Sequence, residues 1–376
     1  MYDDIYLLED TNSTNEMSAL YRIAIAGIGA VADMHAMSIA DIEDATLVAG
    51  SCRTEQKGEE FATEHDCEWY EDTERMLEET SPDILIVCTP SGAHLEPTLA
   101  AAERGIHVLC EKPLEITTER IDRMIEAAET AGITIGGVFQ QRFRDIFRQV
   151  HEAAIDDRFG KLSVANAYVP WWREDDYYDG AWQGTQELDG GGALMNQSIH
   201  GIDATQWLAS ATMDLDPDEN PIEEVVAYTG RRAHDDDLIE VEDTAVAICR
   251  YHDGTLGQFL GATSMYPGSL RRIQLAGRNG TAEILEDELV TWEFQEERET
   301  DTTIRERFAA KSETSGGAAD PMDIDYSNHR ENIEAFLEAL ATDAHYPLSA
   351  TEARKSVAII EAIYESADTG SPVRLS

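Results

Sequence analysis

Residues 21–32 narrow the fold more than any other stretch of the chain. The apolar run Tyr21-Arg22-Ile23-Ala24-Ile25-Ala26 leads straight into Gly27-Ile28-Gly29-Ala30-Val31-Ala32. A run this short, closed by glycine, reads as a buried strand entering a tight turn, with a helix following from about Ala32 to Ala40. Gly27 permits the turn, Gly29 lets the backbone approach a pyrophosphate, and Ala32 lets the helix pack closely on the strand. The helix N-terminus then offers free N–H groups and a positive dipole end to phosphates. In this context the motif points to a bound dinucleotide.

The alternation continues through residues 21–140. Strands are expected at Thr46–Ser51, Asp83–Cys88, Ile106–Cys110 and Thr134–Phe139. Helices are expected at Gln56–His65, Thr73–Glu79, Leu95–Arg104 and Thr118–Ala131. Strand and helix in turn imply a Rossmann-type, doubly wound parallel sheet. From 141 to 376 the pattern changes to β-rich runs with few helices between them: Lys161–Val169, Ile222–Thr229, Thr244–Tyr251, Thr255–Ala262, Arg271–Ala276 and Glu288–Phe294. They predict a second α/β domain with a large, mainly antiparallel open sheet. Helices are expected at Ala193–Leu208, Ser327–Ala341 and Ala350–Ser366, the last packing back on the first domain. The polar stretch Glu299–Pro321 reads as a loop. Residues 1–20 read as an acidic extension without the basic and apolar regions of a secretory signal, and Met17 as an alternative start.

Charge excludes several partners. With 75 acidic and 28 basic residues the net charge is −47, so phosphate-rich partners, whether nucleic acid or an anionic membrane surface, are repelled. The periodic apolar segments argue against disorder. Lysine occurs at only five positions (57, 112, 161, 311 and 355). A folded, acid-coated, lysine-poor chain suits a very salty cytoplasm, where ions screen self-repulsion. The five cysteines form no CxxC and no zinc-type spacing, so reduced thiols are expected, Cys88 and Cys110 read as core residues, and no metal is expected. No segment is long and apolar enough to span a membrane.

NAD-binding sheets usually carry an acid about 20 residues beyond the glycine motif, on the ribose 2′-hydroxyl. Here that place falls in Ser51-Cys52-Arg53-Thr54, which has no carboxylate. Ser51 and Arg53 can instead donate to a 2′-phosphate, so NADP is favoured over NAD. The alternative is that Arg53 stacks on adenine and NAD is accepted too.

Two further segments carry chemistry. Ile106–Cys110 followed by Glu111-Lys112-Pro113 places a lysine at the carboxyl end of a parallel strand, the edge where such sheets bind ligands. Lys112 can donate a proton to, or polarise, a reacting hydroxyl; a plain surface lysine is the alternative. The glycine run 190–192 opens a helix on which Asn196 and His200, four apart, share a face. His200 suits proton transfer near neutral pH, against the plainer reading of a satisfied core histidine.

Together the Gly27–Ala32 turn, Thr89-Pro90-Ser91-Gly92-Ala93-His94, Glu111-Lys112-Pro113 and Gly191 through Asp203 resemble the Gfo/Idh/MocA family of sugar and cyclitol dehydrogenases. The likeness runs from about Tyr21 to Leu375. It implies that Lys112 and His200 flank the reacting carbon, and that Thr89, Pro90, His94, Glu111 and Gln140 line the cofactor side. It also implies that the face of the second sheet builds homodimers or homotetramers. One departure stands out: many members carry aspartate where this chain has Asn196, and an amide orients a hydroxyl but cannot take its proton. Between Lys161–Val169 and the glycine run, Trp172 and Arg173 are candidate substrate contacts, an aromatic face for a sugar ring and a fork for a carboxylate or phosphate. A packed aromatic cluster is the alternative. His234-Asp235-Asp236-Asp237 reads as a solvated acidic loop.

The expected activity is reversible oxidation of a secondary hydroxyl of a sugar, sugar acid or inositol, with NADP or NAD. The alternatives are a 3-dehydrogenase of nucleotide-linked (UDP-type) sugars, a lyase that oxidises and re-reduces within one turnover, and a non-catalytic dinucleotide or sugar sensor. A sensor would need neither Lys112 nor His200.

Overall fold

The computed structural model describes residues 20–309 and 326–375. Six parallel strands, β1 (Tyr21–Ala26), β2 (Ala45–Ser51), β3 (Glu68–Tyr70), β4 (Ile84–Val87), β5 (His107–Cys110) and β6 (Ile135–Gly137), stand in the order 3-2-1-4-5-6. The helices α1 (Ala30–Ala40), α2 (Glu55–Glu64), α3 (Thr73–Thr80), α4 (Leu95–Ala102) and α5 (Thr118–Ala131) cross between them. Strands covered on both faces should be apolar throughout, and every residue of β4 is buried. α5 starts and stops on local signals: the Thr117 side chain accepts from Arg120 N–H, and Gly132 ends the helix with φ +68°.

After α6 (Asp145–Ile155), the second sheet comprises β7 (Leu162–Pro170), β8 (Ile222–Gly230), β9 (Thr244–Tyr251), β10 (Leu256–Ala262), β11 (Arg272–Gly277), β12 (Gly280–Leu285), β13 (Glu288–Phe294) and β14 (Val373–Arg374). Its order is 13-12-11-7-10-9-8-14, antiparallel except where β7 runs parallel to β10. β9 alternates buried and outward residues along its length, as a sheet covered on one face should. The covering layer includes α7 (Ile199–Ser210) and α10 (Ala350–Thr369), whereas α8 (Glu299–Arg307) lies by β13 and α9 (Ser327–Thr342) packs on α1.

α10 also touches α5 and β6. Leu348 O, just before it, accepts from Gly137 N–H at 2.8 Å, and Arg354 pairs with Asp122 at 2.6 Å. A buried bracket strengthens this joint. Arg142 forks onto Asp203 of α7 (Nε to Oδ2 2.8 Å), meets Glu352 of α10 at 2.9 Å, and lies over the Trp207 ring.

Some elements differ from the sequence expectation. The stretch read as a loop begins with α8, because the Asp301 carboxylate accepts from Arg298 N–H (2.7 Å), the Arg158 guanidinium (2.7 Å) and the Trp292 indole (2.8 Å). Residues 310–325 of that stretch lie outside the described residues, as do residues 1–19 of the acidic extension. α6 is an additional helix, carried by Ile146, Phe147, Val150, Ala153 and Ala154 at helical spacing. The helix expected from Ala193 starts as a π-helical turn, Ala193–Ser198, before α7.

Candidate active site

The order of the first sheet reverses between β1 and β4, and a crevice opens beyond the carboxyl ends of those strands. Gly27 turns the chain there with φ +95°, and a Cβ on it would fall 2.6 Å from the Cys88 backbone. A Cβ on Gly29 would meet no protein atom within 4 Å, and no side chain caps the N-terminus of α1. Ala32 is fully buried against the sheet. An open glycine in front of an uncapped helix N-terminus fits a dinucleotide pyrophosphate. At the end of β2 the Ser51 hydroxyl is engaged by Thr73 Oγ1 (2.8 Å), while Arg53 is exposed.

A cleft of about 950 Å³ runs from this crevice to the second sheet. It brings Thr89, His94, Glu111, Lys112 and Gln140 together with Arg173, Asn196 and His200, residues far apart in sequence. Pro90 follows Thr89 in the same loop. The buried His94 ring bridges two loops, Nε2 facing Thr89 O (2.8 Å) and Nδ1 facing Pro113 O (2.9 Å). It braces the Thr89 loop against the turn after β5 through backbone carbonyls. Gln140 Oε1 is buried without a partner.

Glu111 sits between His35 and His329. Its Oε1 accepts from His35 Nε2 at 2.9 Å, and its Oε2 accepts from Lys112 N–H at 3.1 Å. Burial alone would raise its carboxyl, but the His35 bond, with the charges of His35, His329 and Lys112, prevails and holds it at about 2. Lys112 reaches across the cleft and donates from Nζ to the Asn196 carbonyl at 3.0 Å. Burial lowers its ammonium from the ordinary lysine range, against Glu111 and Asp189, which favour the charge.

His200 is partly open to the cleft, with Phe139 edge-on at 5.9 Å and Nδ1 buried without a partner. Burial, then the neighbouring Lys112 charge, pushes it well below the usual histidine value, so the ring is neutral. The cleft thus holds an amine donor and an imidazole whose cation is disfavoured, groups able to exchange a proton with a hydroxyl.

Several site residues carried no clear sequence signal. Asp189, 1% exposed, accepts from Asn196 Nδ2 at 2.6 Å. Gln197 donates to Asn196 Oδ1 (3.0 Å) and to Tyr177 (2.8 Å), and accepts from Arg173 (2.8 Å). Glu242 caps the π-helical turn, accepting from Gly192 N–H (2.9 Å) and Leu194 N–H (2.8 Å). Gly192 is required because a Cβ there would lie 2.0 Å from Glu242 O. In a chain with 75 acids, nothing local separates Asp189 or Glu242 from the surface carboxylates.

The aromatic expectation is corrected by one residue. Trp172 turns away from the cleft and packs on His234 and Tyr266, and Trp171 lines the cleft instead. Neighbouring residues of extended backbone face opposite sides. Arg173 lies over the rings of Trp171 (5.5 Å) and Tyr177 (5.2 Å). Asp235, Asp236 and Asp237 are exposed, but His234 turns inward onto Asp243 (3.2 Å) and Arg173 O (2.9 Å).

Comparison with known proteins agrees with the two-domain fold. Residues 21–137 match a family model described as the NAD-binding Rossmann fold of an oxidoreductase family, and residues 152–375 match its C-terminal alpha/beta domain. The chain is similar to the D-glucoside 3-dehydrogenase of Escherichia coli, 25% identical over 95% of this chain and 98% of that one. It is also similar to the myo-inositol 2-dehydrogenase of Thermotoga maritima, 28% identical over 69% of this chain and 73% of that protein. Among solved structures, the WlbA dehydrogenase of Bordetella pertussis, crystallised with NADH and UDP-GlcNAcA, superposes with a TM-score of 0.82. It is 28% identical and covers 95% of this chain and 99% of its own. Both halves of the fold therefore match one family: the chain belongs to the Gfo/Idh/MocA family of oxidoreductases.

Proposed function

We propose that this NAD(P)-dependent oxidoreductase of CH–OH groups reversibly oxidises a secondary hydroxyl of a sugar, sugar acid or inositol, with Lys112 and His200 handling the proton. The observation that carries this is that Lys112 and His200 line one cleft beside the glycine turn, with burial disfavouring the His200 cation. Gly27, Gly29 and Ala32 would seat the pyrophosphate, and Thr89, Pro90, His94, Glu111 and Gln140 the nicotinamide side. When bound, the dinucleotide supplies the acceptor of the hydride. Lys112 Nζ donates to the substrate oxygen and steadies its developing charge, while His200 accepts the hydroxyl proton.

NADP is the favoured dinucleotide. Ser51 is committed to Thr73, which leaves Arg53 to meet a 2′-phosphate. A kcat/KM that favours NAD would reverse this assignment.

A narrower reading, a sugar acid or nucleotide-linked sugar, is favoured by Arg173. Arg142, Arg144, Arg158 and Arg271 each pair with a carboxylate, but Arg173 has no carboxylate partner among the described residues. A guanidinium stacked on two rings and otherwise held only by Gln197 is a ready receptor for an anionic group.

The protein works in a salty cytoplasm as a homodimer or homotetramer. Tyr228 (77% exposed) and Ile248 (60% exposed), on the paired strands β8 and β9, offer an apolar sheet face for that contact. No helix among the described residues is long and apolar enough to cross a membrane.

The test is a screen of aldoses, sugar acids, inositols and nucleotide sugars in concentrated salt, following absorbance of the reduced nicotinamide. Lys112→Ala should lower turnover by about 100-fold or more with dinucleotide binding intact; unchanged turnover would refute the role of Lys112.

A further inference from the structure

Asp189 is the buried acid that the mechanism above leaves unused. Its Oδ2 accepts from Gly184 N–H at 2.8 Å, closing a tight loop, and its Oδ1 accepts from Asn196 Nδ2 at 2.6 Å. Both partners are N–H donors that favour the ionised carboxylate, as does the Lys112 charge, but burial outweighs them and pushes the carboxyl up to about 7, so the carboxylate is the prevailing form above that pH. An isolated carboxylate so buried is costly, and it needs a counter-charge. The counter-charge is Lys112, which bonds the Asn196 backbone carbonyl at 3.0 Å. Asn196 is therefore gripped from both sides, by Asp189 on its amide and by Lys112 on its carbonyl.

The surrounding charges make Asp189 matter. Glu111, Asp189, Arg173 and His200 face Lys112. Glu111 and Asp189 favour the ammonium, and Glu111 is already bound by His35. Asp189 is faced in turn by Lys112, Glu242, Tyr177, Tyr178 and Tyr364. Lys112 is the cation among them.

We propose that Asp189 is a positioning residue of this site: its carboxylate orients the Asn196 amide and supplies one of the two negative charges that hold Lys112 as an ammonium. The proposal rests on Lys112 being the proton-handling lysine. Asn196 brings no charge of its own, and the glycine run with its π-helical turn carries Asp189, seven residues earlier, into the place where a charge is needed.

The chain's five lysines make a direct test possible without substrate. Acetic anhydride acylates only the unprotonated amine, so competitive labelling across pH, read by peptide mass spectrometry, gives the midpoint of each lysine. In Asp189→Asn the Lys112 midpoint should fall by about one pH unit, while Lys57, Lys161, Lys311 and Lys355 stay in place. The exchange variant D189N/N196D keeps one carboxylate and one amide in the same contact, and should restore the Lys112 midpoint. An unmoved midpoint in the folded single variant, an equal shift at all five lysines, or an exchange variant that stays low would each overturn the proposal. If circular dichroism shows the single variant unfolded, the exchange variant decides: a wild-type midpoint supports the proposal and a lowered one overturns it. The labelling needs no turnover, so its failure leaves the dehydrogenase reading to stand or fall on Lys112→Ala kinetics.

Discussion

His200 is neutral because of where it sits, and this sets the pH dependence. Burial and the Lys112 charge both disfavour its cation, so protonation waits until pH falls well under its ordinary 6.5. Lys112 is lowered from 10.5, so it loses its proton earlier than a surface lysine would. Oxidation needs neutral His200 and charged Lys112. The kcat/KM profile should therefore be a bell with its acid limb below pH 6.5 and its basic limb below pH 10.5. In His200→Asn the acid limb should disappear and kcat should fall about 100-fold or more; a persisting acid limb would assign it to another group. Arg173 invites a second test. Arg173→Met should weaken an anionic sugar by about 10- to 100-fold in KM and leave a neutral polyol nearly unaffected, and equal losses on both would remove the anion-receptor role.

At the scale of elements, the joint between the two sheets rests on the Arg142 bracket. Arg142 is 6% exposed and Asp203 1%. Removing the cation leaves a buried carboxylate without its partner, which typically costs about 3–5 kcal/mol. Arg142→Met should lower stability by that amount in denaturant unfolding, with the family motif through Asp203 otherwise intact. A change under about 1 kcal/mol would mean that water or a rearranged Lys355 compensates. The same joint shows why element boundaries and packing were unequally legible. The helix at Ala350 announces itself by apolar periodicity and a Ser349 cap that accepts from Glu352 N–H. Its docking on both sheets depends on long-range partners such as Asp122 and Asp203, which no local pattern reveals.

At the scale of the whole molecule, the charge of −47 predicts a strong salt dependence. The screening length shrinks from roughly 10 Å at 0.1 M to roughly 3 Å at 1 M salt, so self-repulsion fades and the melting temperature should climb as potassium chloride is raised. A flat dependence would argue against adaptation to a salty cytoplasm. The sheet face makes a separate claim. Ile248→Asp should reduce the mass measured by light scattering to that of the monomer, and a wild-type protein already monomeric at high salt would dismiss that face as an interface.

The sequence alone determined the parallel first sheet, the glycine turn, the lysine after β5 and the histidine of α7, because each depends on a short-range signal: apolar periodicity, a turn residue, a charged residue at a strand end. Tertiary structure alone decided which wall each side chain faces. It turned Trp172 outward and Trp171 into the cleft, tied Ser51 to Thr73, started the helix at Ala193 as a π-helical turn, and buried Asp189 and Glu242 among donors. Those outcomes depend on desolvation and on partners far along the chain, Tyr364 on Glu242 among them, and a carboxylate whose role comes from burial looks in sequence like any other acid.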